Sequence, residues 1–183
     1  MKTHINVPLP EEVSPESQIL LENIKKRAGK IPNLYATIGH SSHALKGFLN
    51  FEESLNKGAF SAKEREAIAL VVSEVNHCDY CLAAHTILAI KHGFSKEQTL
   101  LIRKGIAKEM KLNTIIQLAK SIAENKGEVS PLLLDSFYNE GYTQSALVEL
   151  TGLVAVRVFT NYVYALSDIP VDFPAADVLF YNR

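Results

Sequence analysis

The chain has 183 residues, 47% hydrophobic and 21% charged, enough for one domain with a core that needs no disulfide or metal staple. Its 19 basic and 20 acidic residues nearly cancel, which removes the electrostatic case for nucleic acid or an anionic membrane as partner. The opening MKTHINVPLPEE lacks the apolar run of a secretory leader. The expected location is therefore the cytoplasm, where two cysteines point to catalysis or metal binding more than to a structural bridge.

Residues 1–14, rich in proline and acid, read as an extended lead-in. Ser14-Pro15-Glu16 supplies a capping residue and a first-turn proline, so a helix is expected to about Ala28, closed by Gly29. A turn over Lys30–Asn33 precedes a short helix from Leu34 to Ile38, and Leu45, Phe48, Leu49 and Leu55 mark an amphipathic helix from Ala44 to Asn56. Ser61 and Glu64 have capping-box spacing. The helix they open carries Ile68, Leu70, Val71, Val72 and Val75 and should end near Asn76. Another starts at His77 or Cys78 and ends at Gly93. Further helices are expected from Ser95 to Lys104, Asn113 to Asn125, Pro131 to Tyr138 and Thr143 to Leu166. Glu149 and Arg157 interrupt the last and most apolar of these, which therefore reads as a core helix rather than a membrane span. Pro170 and Pro174 break the tail, 168–183, which is expected to pack on the domain, 15–167, or on a neighbouring subunit. No stretch alternates as a strand does, so the fold class is all-α.

A weak internal repeat is visible. Glu66 precedes Cys78 by twelve residues, and Glu149 precedes Asn161 by the same interval. Each carboxylate sits in an apolar helix, opened by Ser61 and by Thr143.

The stretch HCDYCLAAH, 77–85, contains both cysteines of the chain. On a helix, at about 100° per residue, Cys78, Cys81 and His85 fall within one narrow arc. A disulfide between the cysteines then requires a helix end, where the backbone can adjust. A helix N-terminus also favours a thiolate through its partial positive charge and free N–H groups. His85, one turn beyond Cys81, can take that thiol's proton. A histidine acting so works better with a carboxylate on its far nitrogen. Glu74 lies near the end of the preceding helix, and Glu66 is the better candidate. Along one continuous helix Glu66 and Cys78 would be about 18 Å apart. The relay therefore requires a turn at Asn76-His77 that folds the two helices back on each other.

Glu66, Cys78, Cys81 and His85 are separated by eleven, two and three residues, and this resembles the signature of the AhpD-like alkylhydroperoxidases of the carboxymuconolactone decarboxylase superfamily. GKIPNLYATIGHSSHALKGFL (29–49), SAKEREAIALVVSEVNHCDYCLAAH (61–85) and DIPVDFP (168–174) resemble its peroxidase-related branch. The resemblance implies an AhpD-like helical fold with an internal repeat of helix pairs and assembly as a homo-oligomer, trimer or hexamer. It also implies thiol-dependent reduction of hydroperoxides: Cys81 attacks the peroxide, Cys78 resolves it to a disulfide, and His85, relayed through water to Glu66, deprotonates Cys81. An unidentified thiol or protein reductant closes the cycle, with no cofactor. The helix dipole alone would instead make Cys78 the more acidic thiol. Well-studied members have histidine immediately before the second cysteine, where this chain has Tyr80, and a phenol of pKa near 10 is no base at neutral pH. Tyr80 and His77 are carried as auxiliary residues.

The same residues admit two other readings. The pair could act in general dithiol–disulfide exchange, or Cys78, Cys81, His85 and Glu66 could hold zinc in a redox-sensing oligomer with little turnover.

Overall fold

Side-chain caps set where most of the helices begin. The computed structural model describes residues 4–179, and among these it forms nine α-helices: α1 Pro15–Ala28, α2 Asn33–Ile38, α3 Ser42–Leu55, α4 Ala62–Val75, α5 Asp79–Lys91, α6 Lys96–Arg103, α7 Met110–Glu124, α8 Pro131–Asn139 and α9 Gln144–Ala165. Ser14, Ser41, Ser61, Cys78, Ser95, Ser130 and Thr143 each accept a backbone N–H of the first turn, satisfying donors that a helix leaves unpaired. The capping box expected at Ser61 and Glu64 is formed.

Helix starts are where sequence and structure differ. α3 begins two residues early because Ser41 caps it. α7 begins at Met110 rather than Asn113, whose side chain turns back to accept the Ala107 N–H at 2.9 Å. The lead-in is not extended throughout. Pro10–Glu12 form a 3-10 turn in which the Glu12 carboxylate accepts the Leu9 N–H at 2.7 Å. The one β feature among the described residues is an isolated bridge between Ile5 and Ser167, which ties the lead-in to the end of α9. The class is all-α.

α4 is the centre of the domain. Residues 67–73 are all buried, and α5, α6, α7 and α9 pack round them. α9 is long and apolar enough to cross a membrane by length and composition. Here it lies against α2, α3, α4 and α7. The twelve-residue interval of the repeat spans a helix, a turn and a new helix between Glu66 and Cys78, but one unbroken helix between Glu149 and Asn161. Glu149 accepts the Ala59 N–H at 2.6 Å, and buried Asn161 bonds Ser73 and Asn76. The second copy therefore braces the first and does not reproduce its chemistry.

Candidate active site

The turn that the relay requires is present. α4 stops at Val75, and His77 takes a left-handed backbone with φ of 52°, a region in which histidine is enriched among non-glycine residues. The Cys78 N–H then bonds the Ser73 carbonyl at 2.9 Å. α5 leaves in a new direction and packs along α4. Glu66 and His85 are thereby brought together, with His85 Nδ1 2.7 Å from Glu66 Oε2. The contact is direct, where the resemblance implied a water between them.

Cys78 is the N-cap of α5, outside the helix proper, with φ −93° and ψ 90°, and its sulfur accepts the Cys81 N–H at 3.3 Å. This is the helix-end placement that lets cysteines three apart bond. They form a disulfide with 5.3 Å between Cα atoms. Both are almost wholly buried, Cys78 at 1% and Cys81 at 3% exposure. They differ in access. Cys81 and His85 line a cavity of about 470 Å³ between α1, α5 and the tail, and Cys78 does not. No three His, Cys, Asp or Glu side chains among the described residues converge as a metal cage.

Four further residues belong to this site without any motif to mark them: Arg157, Glu52, Tyr35 and Asp172. Arg157 of α9 approaches His85 Nε2 at 3.2 Å and forms an ion pair with Glu52 of α3. A guanidinium has only N–H groups to offer, so His85 Nε2 must accept and Nδ1 must carry the proton donated to Glu66. His85 thus has Glu66 at one ring nitrogen and Arg157 at the other. The signal for Arg157 lay in the sequence, because a charge on the longest apolar helix needs a partner inside the fold. Tyr35 of α2 stands beside the network. Burial, with the Glu52 charge adding to it, pushes its phenol well up and keeps it protonated.

Burial would raise the Glu66 carboxyl, but the charge and hydrogen bond of His85, joined by the Arg157 charge, outweigh it and hold the group below its ordinary value of 4.5. A carboxyl lowered in the fold stabilises the protein above its unfolded pKa, and that contribution is lost as pH falls through the native value. Glu66→Gln should therefore flatten the fall in thermal midpoint between about pH 5 and pH 3. A thermal-melt series over that range checks this, and an unaltered acid limb would refute the ionised pair.

Tyr80 and His77 do not stand with the relay. The Tyr80 ring lines the cavity, but its hydroxyl accepts the Leu34 N–H at 3.2 Å and donates to Asp172 Oδ1 at 2.5 Å. Burial, then that bond to a carboxylate, push its pKa far above neutral range. Lys30 pairs with Asp172 at 3.0 Å and lies over the Phe173 ring, which meets Tyr80 edge-on. Where the resembling family has histidine, this chain has the anchor of its tail. Tyr80→Phe should cost about 1–3 kcal/mol, because a bond to a charged group is lost, and should speed reduction of the disulfide by dithiothreitol as the tail loosens. A melt and a thiol-release time course measure both, and no change in either would mean that the anchor bears no load. His77 is exposed and lines a separate cavity with Glu74 and Arg103. Glu74, the carboxylate set aside on sequence grounds, pairs with Arg103 at 2.7 Å.

Residues 42–107 match the carboxymuconolactone decarboxylase family. Among curated proteins none matches the chain. Of solved structures, the fold is similar to the AhpD core of an uncharacterised peroxidase-related protein from Ralstonia eutropha, with TM-score 0.78 and 17% identity over 90% of both chains. It is similar to a peroxidase-related protein from Silicibacter sp. TM1040, with TM-score 0.75 and 18% identity over 96% of this chain and 93% of that one. It is equally similar to the debrominase Bmp8 in complex with 2,3,4-tribromopyrrole, with TM-score 0.77 and 15% identity over 94% and 93%. Residues 42–107 thus carry the match to the carboxymuconolactone decarboxylase family, and the described chain shares the helical fold of AhpD-like structures.

Proposed function

We propose that the protein is a thiol-dependent hydroperoxide reductase. The family match over residues 42–107 and the fold shared with AhpD-like structures support catalysis in general. The observation that carries the specific reading is the His85–Glu66 bond at 2.7 Å, one helical turn from a cysteine that opens on the same cavity as His85. In the reduced protein His85 Nε2 gives up its contact with the Arg157 N–H and takes the Cys81 proton there, with Glu66 on Nδ1 stabilising the imidazolium. The thiolate attacks the outer peroxide oxygen and the O–O bond breaks. Cys81 becomes a sulfenic acid, and the alkoxide leaves with the proton held by His85. The Cys78 thiol then displaces water from Cys81, giving the disulfide. A cellular dithiol or reduced protein restores the pair.

The experiment is thiol titration of the reduced protein before and after one equivalent of an organic hydroperoxide. Two thiols should be lost and one alcohol formed, and unchanged thiols at excess peroxide would sink the reading. One stripe of exposed apolar residues, Val148, Phe159 and Tyr162 on α9 and Leu166 at its C-cap, supports assembly as a homo-oligomer.

A second reading is favoured by the cavity walls. Tyr35, Tyr80 and Phe173 are aromatic, as suits a flat ring, and the debrominase shares the fold. Here the dithiol would pass two electrons to a halogenated aromatic, giving the dehalogenated ring, halide and the same disulfide. Halide release separates this reading from the first.

A further inference from the structure

We infer that the Cys81 cavity takes a substrate with an apolar body and an anionic end, such as a long-chain organic hydroperoxide bearing a carboxylate. The inference rests on the peroxidase reading and adds to it the class of peroxide. Its basis is the way charge is sorted about the relay. The smaller neighbouring cavity, about 290 Å³, carries both carboxylates of the network, Glu66 bonded to His85 and Glu52 paired with Arg157. The Cys81 cavity has no acidic residue in its wall but contains Arg27, Lys30, Lys91 and Arg157. Two of these are spoken for, Lys30 by Asp172 and Arg157 by Glu52. Arg27 and Lys91 are exposed, and neither belongs to any ion pair among the described residues. Glu53, whose carboxyl feels the Arg27 charge, is already bonded to Lys57 at 3.0 Å.

The cavity also has a direction. Ala84, Ile87, Leu88 and Lys91 follow Cys81 along one side of α5, and ten residues of helix place Lys91 about 15 Å from Cys81 along the axis. Arg27 faces this stripe from the last turn of α1, with Ile24 one turn before it. The passage therefore runs from a buried sulfur, past apolar side chains, to two unpaired cations. At about 470 Å³ it is within the ordinary range of small-molecule sites, about 300–1,000 Å³. An anion at the far end gains charge-assisted hydrogen bonds where nothing acidic competes. The peroxide group, about three helical turns away, then reaches Cys81.

The test compares linoleic acid hydroperoxide with its methyl ester, which has the same body and no charge. At low salt kcat/KM for the acid should exceed that for the ester about tenfold, as two partly exposed ion pairs allow, and the ratio should shrink as salt rises. The double variant Arg27→Gln/Lys91→Gln should raise KM for the acid about tenfold more than for the ester, and Arg27→Lys/Lys91→Arg should restore the preference. Acid and ester handled alike by the native protein, or a ratio unmoved in the double variant, would overturn the inference. A binding arm separates it from the parent reading: oleate and methyl oleate displacing a fluorescent fatty-acid probe from the disulfide form. Tighter binding of oleate without turnover of any hydroperoxide upholds the anionic ligand and refutes the peroxidase alone. Equal binding refutes the anionic ligand.

Discussion

Cys81→Ser is expected to abolish peroxide-dependent thiol loss, while Cys78→Ser still consumes one equivalent of hydroperoxide and then stops. The asymmetry does not follow from acidity. Cys78 caps α5, and its sulfur already accepts an amide N–H, so the helix terminus stabilises negative charge there at least as well as at Cys81. Access decides instead. The 470 Å³ cavity reaches Cys81 and the relay histidine but not Cys78, and a peroxide must meet sulfur and base together. Cys78, bonded to Cys81 in this structure, is placed to attack the sulfenic acid. In Cys78→Ser that acid has no internal thiol to condense with, and it should be trapped by a sulfenic-acid reagent such as dimedone. Oxidation of Cys81→Ser at the native rate would reverse the roles assigned to the two cysteines.

Arg157→Met should be the most damaging substitution outside the cysteine pair. It strands the Glu52 carboxylate, 19% exposed, without the guanidinium it now meets. Removing one partner of a buried ion pair costs about 3–5 kcal/mol, and partial exposure here reduces that to about 2–4 kcal/mol. For a chain of this length the melting midpoint should fall by about 5–15 °C. Adding Glu52→Gln should recover part of the loss, because the unpaired charge is then gone. A double variant no more stable than the single one would show that packing, not charge, holds Arg157. The same substitution also removes the cation beside His85, and with it the hydrogen bond to Nε2. The pH–rate profile for Cys81 oxidation should move to higher pH, as the thiolate loses a nearby positive charge. Arg157→Lys keeps the charge but not the two-sided reach to Glu52 and His85, and should restore the profile better than the midpoint.

Comparison of particular residues shows how far local signals carry. The capping serines, the glycine stops and the apolar spacing of α4 placed most helices within a few residues, because caps and periodicity act over one or two turns. The turn at His77 was legible for a different reason. It followed from the chemistry, since Glu66 reaches His85 only if α4 and α5 fold back. Tyr80 was legible as an oddity and not as an anchor. Its partner Asp172 lies 92 residues away, and nothing local to either residue signals the bond.

The sequence by itself determined the all-helical class, the four-residue spacing of Glu66, Cys78, Cys81 and His85, and the need for a turn between the first two. These rest on periodicity, capping and reach along a helix, which are properties of neighbouring residues. Only the tertiary structure decided which cysteine meets the cavity, that Arg157 of α9 closes the relay from its other side, and that the tail claims the Tyr80 hydroxyl. Each joins segments 72 to 105 residues apart or depends on the walls between them. Such contacts arise because a buried charge or hydroxyl must find a partner somewhere in the fold, and where it finds one is settled by packing rather than by sequence distance.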